Sequence, residues 1–233
     1  MKEHVLSSAI IALGIVVLGF CMKAGIDNFA NKDRKVSVKG LAEKEVAADK
    51  VTWPILSKEL GNNLPELYAG IGRTQEKIRR FLLANGIKPE EIEVNAPVVI
   101  DLNAEQYSDN NKGYRYNITS IITVTSRQVN RVRSIIARQG ELLKQGVAIV
   151  DGGYANPIKY EFTKFTEMKP KMMRQAIENA EATAKQFAAN SHSALNKIVS
   201  ADQGQFSIDD RDSNTHYIKK VRVVTTVTYS LKD

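Results

Sequence analysis

The first feature of the hydrophobic pattern is an uncharged apolar run at residues 5–22, VLSSAIIALGIVVLGFCM. At about 1.5 Å per residue, a helix of this length covers about 27 Å, close to the hydrocarbon thickness of a bilayer. Lys2 precedes the run, as in a signal sequence, and no clear cleavage site follows it. We therefore predict an uncleaved signal anchor over residues 1–24 and a short polar stalk over residues 25–35, with a cleaved signal as the alternative.

Beyond the stalk, the apolar positions switch between two periods. Alternation with a period of two, typical of strands, occurs at Val36–Gly40, Val46–Leu60, Ile92–Leu102, Tyr114–Thr125, Ile158–Phe162, Lys197–Ser207 and Ile218–Leu231. Spacings of three and four, typical of amphipathic helices, occur at Asn63–Asn85, Arg127–Gln145 and Met168–Ser191. Pro97 interrupts the third strand, because a proline cannot donate to the ladder.

Local signals support the three helices. Asn62 or Asn63 suits the N-cap of the first helix, Pro65 its first turn, and Asn85-Gly86 a left-handed end. Ser126 suits the N-cap of the second helix. The third helix is rich in alanine, and its predicted buried stripe is Met173, Ile177, Ala180, Ala184 and Phe187.

The element order ββαββαβαββ predicts an α+β fold with mainly antiparallel sheets. Strands that are adjacent in sequence favour antiparallel pairing. We expect the three helices to pack on the resulting sheets. One N-terminal transmembrane helix precedes this body, which spans residues 36–233. The body is either one domain or two closely joined halves, since no Pro/Gly/Ser-rich linker divides it. Residues 103–112 and 209–216 are predicted polar loops.

The distribution of charge does not change the predicted fold. The chain has 233 residues and a formal net charge of +7. Its densest basic stretches, Arg79–Arg80, Arg127–Arg138 and Lys164–Arg174, lie in or beside predicted helices, and no aromatic-and-glycine RNA-binding pattern accompanies them. We interpret them as solvated helix faces and predict no nucleic-acid partner.

The sequence contains no recognisable catalytic or metal-binding pattern. Cys21 is the single cysteine, which excludes an intramolecular disulfide, a CxxC redox pair and a cysteine-based zinc site. The three histidines, His4, His192 and His216, lack metal-ligand spacing. We predict no catalytic residue, no cofactor, no metal ligand and no enzymatic activity.

Three further groups of residues have structural explanations. Asp209, Asp210 and Asp212 lack the glycine and closing glutamate of a calcium-binding EF-hand loop. Glu90 and Glu91 lie at a turn between a helix and a strand. For the aromatic side chains we predict core or cross-strand packing, with a peptide- or subunit-binding surface as the alternative; they are Trp53, Tyr107, Tyr114, Tyr116, Tyr154, Tyr160 and Tyr217.

Several stretches together resemble one family. They are the opening Val36-Ser37-Val38-Lys39-Gly40 with the strand that follows it, the passage Asn85-Gly86 to Ile92, the strand Gly113 to Val124, and the helix Ala176 to Ala189 with Lys197-Ile198-Val199. In this order they resemble the SIMPL domain family of bacterial envelope proteins. The resemblance implies an envelope location, self-assembly and no catalytic motif to transfer.

Two functional hypotheses follow from the sequence. In the first, the chain is a membrane-anchored envelope protein that self-assembles as a homo-oligomer or binds another envelope protein. In the second, it is an envelope sensor that binds a small ligand or an ion. We expect the body to be periplasmic, although the basic residues after the apolar run oppose export by the positive-inside rule.

Overall fold

The structure is a computed structural model that describes residues 2–31, 34–104 and 113–232, with side chains described at residues 12–26, 34–104 and 113–232. Its α-helices are α1 (Lys2–Asn31), α2 (Leu64–Ala84), α3 (Val129–Ala137), α4 (Gly140–Lys144) and α5 (Phe165–Asn190), with a 3-10 helix at Pro89–Glu91. Its strands are β1 (Lys35–Ala47), β2 (Lys50–Gly61), β3 (Ile92–Val94), β4 (Val98–Asp101), β5 (Tyr116–Ser126), β6 (Ile149–Val150), β7 (Lys159–Glu161), β8 (Ala194–Asp210) and β9 (Ile218–Lys232).

The chain divides into two compact units. Unit 1 comprises Met1–Lys44, Thr166–Ser207 and Val221–Asp233. Unit 2 comprises Glu45–Phe165 and Ile208–Lys220. Each unit has its own sheet-and-helix core.

Unit 2 is built around the antiparallel pair β2 and β5. The two strands pair along their whole length, from Val51 opposite Ser126 to Gly61 opposite Tyr116. Strands β3 and β4 pair with the other side of β5, and β6 and β7 with the other side of β2. One continuous core joins these strands to the helices, with buried side chains from β2 (Val51, Trp53, Ile55), α2 (Ile78, Phe81, Leu82), β5 (Ile122, Val124), α3 (Val132, Ile135) and α4 (Leu142).

Helix α2 begins and ends where its local sequence specifies. The Asn63 side chain accepts a hydrogen bond from the Glu66 amide at 3.4 Å, which satisfies one free amide of the first turn. Pro65 occupies the first turn. Gly86 has φ +81, the left-handed conformation that commonly ends a helix and that glycine adopts without strain.

Unit 1 packs one long helix on a three-stranded sheet in which β9 lies between β1 and β8. The buried side chains of α5 recur every four residues: Met172, Ala176, Ala180, Ala184 and Ala188. Ala180 and Ala184 contact Val38, Val227 and Tyr229 of the sheet. Gly40 permits this close approach, because a Cβ there would overlap the carbonyl oxygen of Ala176 and crowd Ala180.

The predicted α+β class with antiparallel sheets is confirmed, and two of its details are corrected. The predicted helix Arg127–Gln145 is two helices, α3 and α4, separated just before Gly140. Its N-cap is Gln128, while the Ser126 hydroxyl accepts from the Gln128 amide at 2.9 Å. The predicted break at Pro97 is confirmed, because Pro97 lies between β3 and β4.

The buried stripe of α5 differs from the predicted one. Ile177 and Phe187 are exposed, and Ala176 and Ala188 are buried in their place. The sheet surface explains the difference, because the approach at Gly40 leaves room for methyl groups rather than for large side chains.

The predicted N-terminal transmembrane helix lies within α1. Helix α1 covers Lys2–Asn31 and therefore includes much of the predicted stalk. Among the described residues, no helix has an apolar stretch long enough to cross a membrane. The predicted span begins at Val5, and the side chains of its first part lie outside the described residues.

Candidate functional site

The first candidate surface is the edge strand β8 of unit 1. Strand β8 pairs with β9 on one side and ends the order β1-β9-β8, so no strand of the described residues pairs with its other side. Residues 196–203 are exposed at every position, whereas a strand covered on one face alternates between buried and exposed positions. Leu195, which precedes this stretch, still packs against the unit 1 core. The core therefore supports the start of β8 and leaves its next eight residues uncovered.

The exposed stretch of β8 carries apolar side chains on both faces. Ile198 and Val199 are adjacent and therefore point to opposite faces, and each is about half exposed, at 54% and 50%. Proteins commonly protect such an edge with a proline, a bulge or several charges. The stretch NKIVSADQ contains no proline and two side chains of opposite charge, Lys197 and Asp202. We call residues 196–203 the β8 edge.

The second candidate site is a cleft of about 840 Å³ within unit 2. This volume lies in the range of small-molecule sites, about 300–1,000 Å³. Its walls come from α3, from the segment around β7 and from the loop before β9, and they include Arg133, Tyr154, Ile158, Tyr160, His216 and Tyr217. We call it the Arg133 cleft.

A stack of three side chains forms one wall of the Arg133 cleft. The guanidinium carbon of Arg133 lies 3.3 Å from the ring centroid of Tyr217. The Tyr160 ring meets the Tyr217 ring edge-on, with centroids 6.3 Å apart. Backbone pairing holds both tyrosines, because Tyr160 lies opposite Val51 on β2 and the Tyr217 carbonyl accepts from the Ala48 amide at 2.8 Å. The stack is therefore held by strand pairing at Tyr160 and by a backbone hydrogen bond at Tyr217.

Burial raises the pKa of the Tyr160 hydroxyl above its usual value of 10.0. The positive charge of Arg133 opposes the rise, and Tyr217 adds to it. The pKa of Tyr160 is raised overall, so the hydroxyl stays protonated at neutral pH and is available as a hydrogen-bond donor.

Asp210 lies beside His216, one of the residues that line the cleft. Its carboxylate contacts the Lys219 ammonium and lies 2.6 Å from Nδ1 of His216. Burial alone raises the pKa of Asp210, but the hydrogen bonds from Lys219 and His216 outweigh it, so the net pKa lies below 3.8. Asp210 therefore remains a carboxylate whose charge is locally neutralised.

The remaining residues considered in the sequence have structural partners. Asp212 accepts from the Asn214 and Thr215 amides and pairs with Arg211. Glu91 accepts from the Lys88 amide at 2.9 Å and from the Ser126 hydroxyl at 2.6 Å. In the part of the chain that the structure describes, no group of three acidic, histidine or cysteine side chains is placed to hold a metal ion.

The aromatic residues separate into two groups. Trp53 is buried in the unit 2 core, as the packing prediction requires. Tyr154, Tyr160 and Tyr217 come together at the Arg133 cleft, the arrangement that the alternative prediction allows. Tyr107 and the side chain of His4 lie outside the described residues, and His192 is exposed in a turn after α5 with φ 56.

Sequence reasoning missed Arg133. It belongs to the basic stretch Arg127–Arg138, which we interpreted as a solvated helix face. The structure half-buries it against Tyr217, a residue far away in the sequence. No local signal distinguishes it from Arg131, whose guanidinium instead donates to the exposed carbonyl of Gly86 at 3.0 Å.

These features define an α+β protein with two sheet-and-helix units, an exposed strand edge on β8 and an aromatic cleft. The family model for SIMPL, described as a protein of unknown function (DUF541), matches residues 36–229. The chain therefore belongs to the SIMPL family, as its sequence stretches predict. A search of curated proteins gives no match.

Proposed function

We propose that this chain is a non-catalytic self-assembly module of the bacterial cell envelope, held at a membrane by its N-terminal segment. Copies pair through the β8 edge. The observation that carries this proposal is the uncovered strand, since an exposed edge offers backbone donors and acceptors to a strand of another chain.

The occupant that best suits the β8 edge is the same strand from a second copy. Antiparallel pairing of two β8 edges relates the two copies by a twofold axis. Twofold symmetry is the commonest symmetry of soluble oligomers. Lys197 and Asp202, the two charged residues of the edge, are five residues apart and therefore lie on opposite faces of the strand, so each face carries a single charge per copy.

Membrane attachment is supported by the apolar run at residues 5–22, which contains no charge. Where its side chains are described, large apolar groups including Leu13, Ile15, Leu18 and Phe20 are more than half exposed. An all-round apolar helix in water is unfavourable, and a lipid environment removes that surface from water.

The test of self-assembly is the mass of the full chain, solubilised in detergent, measured by size-exclusion chromatography with light scattering. We expect an oligomer for the wild type and dissociation for Ile198→Lys and Val199→Lys, because a lysine on either face adds charge at the paired edge. Val98→Lys is the matched control, since Val98 is an exposed valine of the short strand β4 in unit 2. A monomeric wild type, or an unchanged mass in both β8 variants, contradicts the proposal.

Location is tested by carbonate extraction of membranes and by adding protease to intact spheroplasts. We expect the chain to remain in the membrane fraction and its body to be digested. Release by carbonate contradicts the apolar attachment. Protection from protease places the body on the cytoplasmic side and contradicts the envelope location.

A further inference from the structure

The Arg133 cleft contains a cation that has no ion-pair partner among the described residues. Arg133 is half-buried, and its guanidinium lies over the ring face of Tyr217. Stacking engages the face of the guanidinium and leaves its in-plane N–H donors for other groups. Within the described ranges, no carboxylate lies within 4.0 Å of this guanidinium. A half-buried cation of this kind attracts an anion from solution.

The acidic side chains around the cleft do not supply that anion. Asp151 lines the cleft, but its carboxylate accepts from the Gly153 amide at 3.2 Å within its own turn. Asp210, which contacts the cleft residue His216, is already paired with Lys219. The net charge of +7 adds a long-range attraction for anions.

The other walls of the cleft suit a flat apolar group. Tyr160 and Tyr217 present aromatic surface, and Pro157 and Ile158, just before β7, add aliphatic surface. A planar ligand body placed against these rings gains stacking and burial together. One guanidinium matches one carboxylate in bidentate geometry, whereas phosphate sites generally combine several donors or a helix N-terminus.

We propose that the Arg133 cleft binds a small organic carboxylate with a planar apolar body, the carboxylate on Arg133 and the body against Tyr160 and Tyr217. The site lies within unit 2 and uses none of the residues of the β8 edge, so it goes beyond the proposed self-assembly. Tyr154, which is fully exposed at the rim, is available to cover a bound ligand.

The probes are acetate, hexanoate, phenylacetate and indole-3-acetate, each titrated calorimetrically into the detergent-solubilised full chain. Phenylacetamide is the neutral control of the same shape as phenylacetate, and inorganic phosphate is the control for unspecific anion binding. We expect phenylacetate and indole-3-acetate to bind more tightly than acetate. We expect phenylacetamide to bind at least about tenfold more weakly than phenylacetate, since a charge-assisted bond is lost.

Variants assign the binding to this cleft. Arg133→Gln is expected to weaken phenylacetate at least about tenfold, and Arg133→Lys to retain part of the affinity because it keeps the charge without the fork of donors. Arg131→Gln is the matched control on the same helix and is expected to leave the affinity unchanged. A melting curve for each variant checks that the fold is retained.

Four results overturn the proposal. The first is no binding of any carboxylate at millimolar concentration, and the second is equal affinity for phenylacetate and phenylacetamide. The third is unchanged phenylacetate affinity in a folded Arg133→Gln. In the fourth, free acids fail to bind while a peptide such as Gly-Phe binds through its C-terminal carboxylate, which replaces the small-molecule ligand with a chain terminus. Each of them leaves the mass of the wild-type oligomer unaffected, so failure here is distinct from failure of self-assembly.

Discussion

The two units of this chain bury their helices in opposite ways. In unit 2, α2 inserts large side chains such as Ile78, Phe81 and Leu82 into a core shared with the central strands. In unit 1, α5 presents alanines every four residues, and Gly40 lets its backbone come close to the sheet. Unit 2 is therefore stabilised mainly by apolar volume, and unit 1 by close contact between backbones. Substitutions that add or remove side-chain atoms should therefore change stability differently in the two units.

The largest expected effect compares one residue type in the two helices. Phe81 is buried in α2, whereas Phe187 of α5 is 58% exposed. Phe81→Ala is expected to lower the free energy of unfolding by about 3–5 kcal/mol through lost burial and a cavity. Phe187→Ala is expected to change it by less than about 0.5 kcal/mol. Urea unfolding followed by circular dichroism measures both free energies. A large loss of stability in Phe187→Ala would mean that Phe187 is buried, as the stripe predicted from the sequence has it.

The next effect tests the close approach in unit 1. Gly40→Val places new atoms against the carbonyl of Ala176 and is expected to destabilise the protein by about 1–3 kcal/mol, as overpacking does. Gly72→Ala in α2 is the matched control, because a Cβ there meets nothing within 4 Å. That change is expected to stabilise by up to about 1 kcal/mol, since alanine favours a helix more than glycine does. If Gly40→Val and the wild type had equal free energies of unfolding, the close packing of α5 on the sheet at Gly40 would not require a glycine.

A smaller effect concerns the start of α2. Asn63→Ala removes the side chain that accepts from the Glu66 amide and is expected to cost about 1 kcal/mol. Asn63→Asp keeps an acceptor at this position and is the matched control. If both variants lose the same stability in urea unfolding, the hydrogen bond of the cap is not the cause.

The smallest expected effect is a pH dependence in unit 2. Lys219 and His216 lower the pKa of Asp210 despite its partial burial, so the folded state binds a proton there less readily than the unfolded chain does. The resulting stability is fully present above the unfolded pKa, near 3.8, and is lost as the pH falls through the lowered folded pKa. Asp210→Asn should therefore flatten the fall in the urea midpoint below pH 4, and Asp209→Asn is the control. Parallel profiles for wild type and Asp210→Asn would remove Asp210 as the source.

The elements that local chemistry specifies could be predicted from the sequence. Helix α2 is bounded by Asn63 and Gly86, whose cap signals depend on a few adjacent residues. Strand β5 follows from strict alternation, and Pro97 separates β3 from β4. The short strand β6 could not be predicted, because two residues carry no periodic signal.

What the sequence could not reveal depends on contacts between distant segments. Apolarity alone favours Ile177 and Phe187 for the buried side of α5, but the space beside Gly40 selects alanines. The Arg133 cleft is hidden for the same reason, because the stack needs Tyr217 from a loop far along the chain. The exposed edge of β8 was predicted only as a strand, since its place in the sheet depends on which strand pairs with β9.

The order of strands in the two sheets also sets an order of events during synthesis. All strands of the unit 2 sheet, from β2 to β7, are translated before α5, so that sheet can form while the rest of the chain is still on the ribosome. The middle strand of the unit 1 sheet is β9, and the Leu231 amide near its end bonds to the carbonyl of Arg34, almost two hundred residues earlier. Strand β1 therefore stays unpaired until β9 has been synthesised. Closing so long a loop is also slow. During this interval β1 is accessible to other proteins.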